Sequence, residues 1–243
     1  MRRRETAKRL LEIDWLLPVY APDLERKVER GRTTTATALE ALPRSRAFAE
    51  ITDPDDDRPL LVLRECTQCK GSDAALLSRK LDNELTVLMT RWFRCVKLPT
   101  DVLEQDHPFR KLFEDEHPPH LFLCDKFGRN VIALDGNQSQ TLLWKQMRKV
   151  LEERYKKDAD RALKEIRKLL NYYDLLDIRR DDYLSRLDDV LLKYGPKSSK
   201  VRSLQRKIDK LDKDRAEADA RKDKLFDLGL IPTPPLEPVV DAK

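Results

Sequence analysis

The 243-residue sequence predicts an α/β fold, a central mixed sheet flanked by helices. A helical segment precedes it and a long charged helical region follows it. Three observations carry this prediction. Short apolar runs alternate with helix-period segments in the order β–α–β–α–β–β–α between residue 60 and about 155. A helical apolar seam then continues through strongly charged sequence. Only 6 glycines occur, which weighs against an all-β chain dense in tight turns. Hydrophobic residues make up 40% and charged residues 38% of the chain. That supports one core of roughly 100 residues. The surplus charge, above the usual quarter, belongs on solvated helices.

Residues 4–17 read as a helix, with Leu10, Leu11 and Ile13 between charges, punctuated by Pro18 and Pro22. Residues 23–30 and 36–42 read as short helices around Thr33, Thr34 and Thr35. The polar, proline-bounded stretch 53–59 is a linker and the first domain boundary. Its acidic run lacks the glycine and ligand spacing of a calcium loop and reads as a solvated turn. Residues 60–64 form an apolar run consistent with a buried strand. From about 71 to 91, Leu76, Leu77, Leu81, Leu85, Leu88 and Met89 recur at helical steps. Residues 92–98 suit a second strand, ended by Pro99. A short helix is expected at 108–115. Two strands, 120–124 and 129–134, flank a hairpin loop at Asp125-Lys126-Phe127-Gly128. The next helix starts near Ser139, whose hydroxyl is a capping group.

Beyond 155 the seam runs through Leu163, Ile166, Leu169, Leu170, Tyr173 and Leu176, and resumes at Tyr183, Leu184 and Leu187. Gly195-Pro196 is a stop. A second helix spans about 198–227, with Val201, Leu204, Ile208, Leu211 and Leu225 as a sparse apolar face. An intramolecular helical hairpin and a coiled coil with another chain fit this pattern equally. The end, with Pro232, Pro234, Pro235 and Pro238, is expected to be extended and flexible. The organisation is therefore a helical extension at 1–57, an α/β domain at 58–155, a charged helical extension at 156–230 and a proline-rich tail at 231–243.

The net charge is +5, but 49 basic residues face 44 acidic ones, and acids interrupt nearly every basic run. This mixed surface argues against a nucleic-acid partner. Arg2, Arg3 and Arg4 look like the start of a secretion signal, but Glu5, Lys8, Arg9, Glu12 and Asp14 break any apolar stretch after them. Nothing approaches the ~20 apolar residues of a membrane helix. The expectation is a soluble, cytoplasmic protein with no membrane partner. In that compartment a CxxC pair reads as redox-active or metal-binding.

That pair is Cys66-Thr67-Gln68-Cys69, between a predicted strand and a predicted helix. A helix N-terminus stabilises a thiolate at the first cysteine. The two-residue spacer lets the second resolve a mixed disulfide. Lys70 adds positive charge, and Glu65 acts the other way.

About fifty residues later comes His117-Pro118-Pro119-His120-Leu121-Phe122-Leu123-Cys124-Asp125-Lys126-Phe127-Gly128-Arg129. With the strand, the CxxC and this proline–strand–hairpin run, the chain resembles the thioredoxin-like superfamily over about 100 residues. The resemblance implies a thioredoxin-like fold and puts Pro119 at the family's cis-proline position, shaping a substrate groove against the CxxC. Cys66 is then the attacking nucleophile and Cys69 the resolving thiol, with no bound cofactor. Three departures stand out: Glu65 where thioredoxin has tryptophan, Thr67-Gln68 in the spacer, and no buried acid at Leu60 or Leu61. They leave a specialised thiol–disulfide protein or a member with weakened redox function.

His117 and His120 flank Pro119 and admit three readings. They are exposed loop histidines, or one tunes the Cys66 thiolate, or they join Cys66 and Cys69 in a zinc shell. Cys95 and Cys124 fall in predicted strands and read as buried apolar residues. Trp15, Trp92 and Trp144 read as core aromatics. Two principal functions follow: a thiol–disulfide oxidoreductase acting on a protein substrate, or a scaffold whose C-terminal helices bind a protein partner or form a homodimer.

Overall fold

The computed structural model describes residues 3–20, 40–66, 73–78, 80–115 and 117–234. The helix expected at 23–30 and residues 36–39 of the one expected at 36–42 lie outside the described residues, and 40–42 are not helical. The chain divides into two compact units. A helical unit combines the N-terminal residues up to Glu12 with Lys156–Gly229, and a sheet unit combines Ile13–Tyr155 with the segment from Leu230 onward.

The sheet unit contains five strands: β1 (Trp15–Leu16), β2 (Leu60–Arg64), β3 (Arg94–Leu98), β4 (Leu121–Cys124) and β5 (Ile132–Leu134). Their order is β1-β3-β2-β4-β5. β1 and β2 run parallel to β3, with Trp15 opposite Cys95 and Leu61 opposite Cys95 on the other side. β4 is antiparallel to β2, and β5 to β4. The central strands β2 and β4 are buried at every position. Their unbroken apolar sequences reflect cover on both faces.

The N-terminal reading needs correction. Helix α1 spans only Glu5–Arg9, and Trp15-Leu16 pair with β3 as an edge strand. The free edge of β3 offers ladder partners that a helix through 17 would forfeit. Helix α2 (Arg44–Ile51) buries Ala47, Phe48 and Ile51 against Val62, Val96, Phe113 and Phe122. Gly128, at φ +75°, closes the β4–β5 turn under this helix, and a Cβ there would meet the Phe48 ring at 2.3 Å. Asp125 completes the turn by accepting from the N–H groups of Phe127 and Arg129.

The helix expected over 71–91 is shorter. Helix α3 is Glu84–Thr90, and residues 73–76 form turns. Local side chains compete with the helix here. Asn83 accepts from Ser78 N–H at 2.8 Å and donates to Ser78 O at 2.6 Å, while Ser78 Oγ accepts from the N–H groups of Lys80 and Leu81. A 3₁₀ turn at Arg110–Leu112 replaces the expected helix at 108–115, and another spans Thr100–Leu103. Helix α4 (Gln140–Arg154) starts as expected, Ser139 Oγ accepting from Leu142 N–H.

The acidic stretch is more than a solvated turn. Asp56 binds Arg58 at 2.7 Å and Arg94 at 3.3 Å, and Arg94 also donates to Ile51 O. Partial burial acts to raise the Asp56 pKa, but hydrogen bonds and charge from Arg58, with help from Arg94, hold it below the ordinary 3.8. The start of the proline-rich tail is docked as well. Leu230 bridges Tyr155, Ile231 N–H donates to Arg154 O, and Arg129 donates to Pro234 O. The tail from 235 onward lies outside the described residues.

The helical unit holds α5 (Ala159–Tyr194) and α6 (Ser199–Phe226), packed on each other as an intramolecular hairpin. Side chains of Asp158 and Ser198 cap their N-termini, and Gly195 ends α5. The seam buries Leu163, Ile166, Leu170, Tyr173 and Leu176 with Ile208, Leu211 and Ala218 of α6. Carboxylates of α5 receive α1: Asp174 accepts from Arg4 N–H at 2.7 Å and Asp177 from Thr6 N–H at 3.0 Å. Negative side chains thus satisfy donors that a helix start leaves unpaired. Among the described residues no helix is long and apolar enough to cross a membrane.

Candidate functional site around Cys66

Cys66 follows the end of β2, half-buried. The ladder extends one residue past the strand, Glu65 N–H donating to Leu98 O at 2.9 Å. Cys69, with Thr67, Gln68 and Lys70, lies outside the described residues. The residues directly after Cys66, where the helix was expected to start, lie outside the described residues, and 73–78 and 80–83 are turns and coil.

The strand order brings the 117–120 loop beside this strand end, because β4 pairs with β2. Arg64, 8% exposed, fastens the two. Its N–H donates to His120 O at 2.8 Å. Its guanidinium donates to Pro118 O at 3.2 Å and Pro119 O at 3.4 Å. Buried carbonyls without such a donor would be costly. Pro119 is buried. The expected cis bond is absent: no cis peptide occurs among the described residues, so Pro119 follows a trans bond. Trans is the intrinsic preference of X–Pro, and Arg64 binds the loop carbonyls in that form.

The two histidines separate. His117 is exposed, whereas His120 is half-buried, its Nδ1 at 2.7 Å from Asp135 O. Gly136, at φ +89°, makes room for that ring, since a Cβ would lie 2.5 Å from His120 Nδ1.

Lys97 clasps the cysteine-bearing segment. From β3 it reaches Glu65 at 2.8 Å and Asp73 at 3.0 Å, one carboxylate on each side of Cys66 in sequence. Burial works to lower its pKa, but the hydrogen bonds it donates to Glu65 and Asp73 raise it above the lysine norm. Glu65 is therefore a paired charge, which weakens its expected opposition to a Cys66 thiolate. The ammonium also sits 5.9 Å from the centre of the Trp15 ring.

A cleft of about 750 Å³ opens between residues 74–81 and 136–143, with Cys66 and His120 in its lining. Two glutamines stitch its walls. Gln138 donates to Ala75 O and Gln140 to Leu76 O. Thr86 hydroxyl donates to Gln140 Oε1 at 3.0 Å, and Trp144 Nε1–H donates to Thr86 Oγ1 at 2.9 Å. Trp144 thus serves a polar chain as well as packing.

Cys95 and Cys124 are buried strand residues, as expected. Burial pushes the Cys95 thiol up to about 12 and raises Cys124 too, so neither supplies a thiolate. Among the described residues no three His, Cys, Asp or Glu side chains group to hold a metal ion. The zinc set included Cys69, outside those residues. Arg64, Lys97, Asp73 and Gln138 escaped sequence reasoning. Of these only Arg64 carried a signal, as a charge ending an apolar strand. Together the elements put a half-buried thiol at a cleft, tied by Arg64 and Lys97 to two neighbouring strands.

No family model, no curated protein and no solved structure matches this chain.

Proposed function

We propose that the sheet unit is a thioredoxin-like domain and that the chain is a thiol–disulfide oxidoreductase-like protein acting through Cys66 and Cys69. One observation carries the reading. The order β1-β3-β2-β4-β5 sets the Cys66 end of β2 against the Pro119–His120 loop, at the mouth of a cleft. In the reaction, the Cys66 thiolate attacks one sulfur of a substrate disulfide. The S–S bond breaks, its electron pair leaves on the other sulfur, and that thiolate takes a proton from solvent. Cys69 as thiolate then attacks Cys66 Sγ, releasing the second substrate thiol and leaving a Cys66–Cys69 disulfide. Two electrons have passed to the substrate, and a dithiol reductant restores the protein. Pro119, whose carbonyl accepts from Arg64, holds the loop that brings His120 into the cleft lining. His120 sits where it can stabilise the thiolate. A cytoplasmic setting goes with this reading, because a resting dithiol needs reducing surroundings.

The test is a redox titration of the full chain, trapping thiols by alkylation and reading masses. A reversible 66–69 disulfide with a midpoint of roughly −200 to −300 mV is expected. No disulfide across that range overturns the reading, and thiols that react only after chelation replace it with a zinc-bound module.

A second reading has its own observation. The α5–α6 hairpin leaves Leu192 87% and Tyr194 56% exposed near its turn. A scaffold that binds a protein partner there, or pairs into a homodimer, predicts that Cys66→Ser keeps the activity and that loss of 156–243 removes it.

A further inference from the structure

The cleft beside Cys66 has a lining that selects among disulfides. We infer that it takes an acidic polypeptide segment of the substrate and seats a bulky aliphatic side chain of that segment against Leu77, Leu81 and Leu143. The inference rests on the thiol-exchange reading and names its substrate class. Volume is the first argument. About 750 Å³ lies in the range of sites that enclose a ligand of many atoms, far beyond one disulfide. The second is the apolar wall. Leu77, Leu81 and Leu143 line one space, and Leu81 is left 60% exposed at its rim. Sequence made Leu81 part of a buried helical face. Instead, the Ser78–Asn83 hydrogen bonds turn the chain and present it at the cleft.

Charge is the third argument. The chain has 44 Asp and Glu residues, yet none appears among the described residues lining the cleft. Besides the Cys66 thiol, the ionisable side chains among the described lining residues are Lys80 and His120. The nearby carboxylates Glu65 and Asp73 are taken up by Lys97. In the described lining an acidic segment therefore meets the Lys80 cation, whereas a basic one meets a like charge. The walls are also preset. Gln138 and Gln140 tie them together through backbone carbonyls, so little ordering is left for the ligand to impose.

The experiment uses the reduced full-length protein and measures mixed-disulfide formation at Cys66 by mass. The probes are neutral 4,4′-dithiodipyridine and three cysteine peptides activated as the same pyridyl disulfide. One peptide has Asp and Leu flanking its cysteine. The second has Ser for Leu, and the third Lys for Asp. The Asp/Leu peptide should react about tenfold faster than either other peptide, the scale of one apolar contact in a pocket. Its rate relative to dithiodipyridine should fall about as much in Leu81→Ser, and Leu81→Ile should restore it. Equal rates for the three peptides, while dithiodipyridine still modifies Cys66, overturn the inference and leave the thiol-exchange reading standing. Failure of every probe at Cys66 removes both.

Discussion

The sheet unit and the helical unit are stabilised by different means. In the sheet unit, Leu60, Leu61, Val62, Leu121 and Leu123 are fully or almost fully buried on adjacent strands. In the helical unit, deep burial is confined to one stripe of α5, three residues of α6, Ala7 of α1 and Leu228. Beyond Leu176 no residue of α5 is buried. Ion pairs such as Arg221–Glu165, Arg215–Asp177 and Arg180–Asp212 span the hairpin instead. Exposed pairs contribute little, so the hairpin depends on its thin seam. The difference teaches where precise chemistry can reside. The Cys66 thiol sits on the densely packed unit.

The strongest way to break this comparison is in the sheet. Leu123→Ala removes a fully buried side chain between β2 and β5, and should cost about 3 kcal/mol in urea unfolding. A loss below 1 kcal/mol, by that same measure, would show that the sheet is loosely packed. The hairpin predicts a smaller effect. Tyr173 is buried and its hydroxyl donates to Asp219 at 2.7 Å, so Tyr173→Phe should cost about 1 kcal/mol. Hydrogen exchange along α5 should then quicken around residue 173, while the sheet amides stay protected.

Asp56 sharpens the comparison through pH. Its pKa is depressed in the folded chain, so its contribution is complete above 3.8 and is lost as pH falls through the lower folded value. Asp56→Asn should therefore unfold earlier than the parent chain at pH 7, by less than about 1 kcal/mol. The gap should narrow as pH falls below 3.8, and a gap that does not narrow there would assign the effect to packing. The smallest effect concerns reactivity. Lys97→Met leaves Glu65 and Asp73 unpaired beside the cysteine segment, so Cys66 should alkylate roughly threefold more slowly at pH 7, with its pH profile moved upward. Lys97→Arg should restore the profile. An unchanged profile in Lys97→Met would remove the clasp from the account of Cys66.

Much of the fold was legible wherever burial and local chemistry agree. The run at 60–64, the β4–β5 turn with Asp125 and Gly128, the Ser139 cap and the stop at Gly195 all stand where the residues indicate. The site was legible only in part. Cys66 directly after β2 follows the sequence reading, while the trans bond before Pro119 and the short α3 depart from it, and of two histidines read alike only His120 lines the cleft.

By itself, the sequence determined the central strands, the long charged helices and the thiol pair, since each depends on periodicity or spacing along a few residues. Tertiary structure alone decided four other features. Trp15-Leu16 became an edge strand because β3 had an open side. The two long helices closed on each other, although their pattern equally allowed two chains. Arg64 found the carbonyls of Pro118 and Pro119, and Lys97 found Glu65 and Asp73. Such pairings join residues far apart in the chain, and a charged side chain read in isolation does not reveal which distant partner will neutralise it. Only the packing of strands and loops brings those groups within hydrogen-bonding distance.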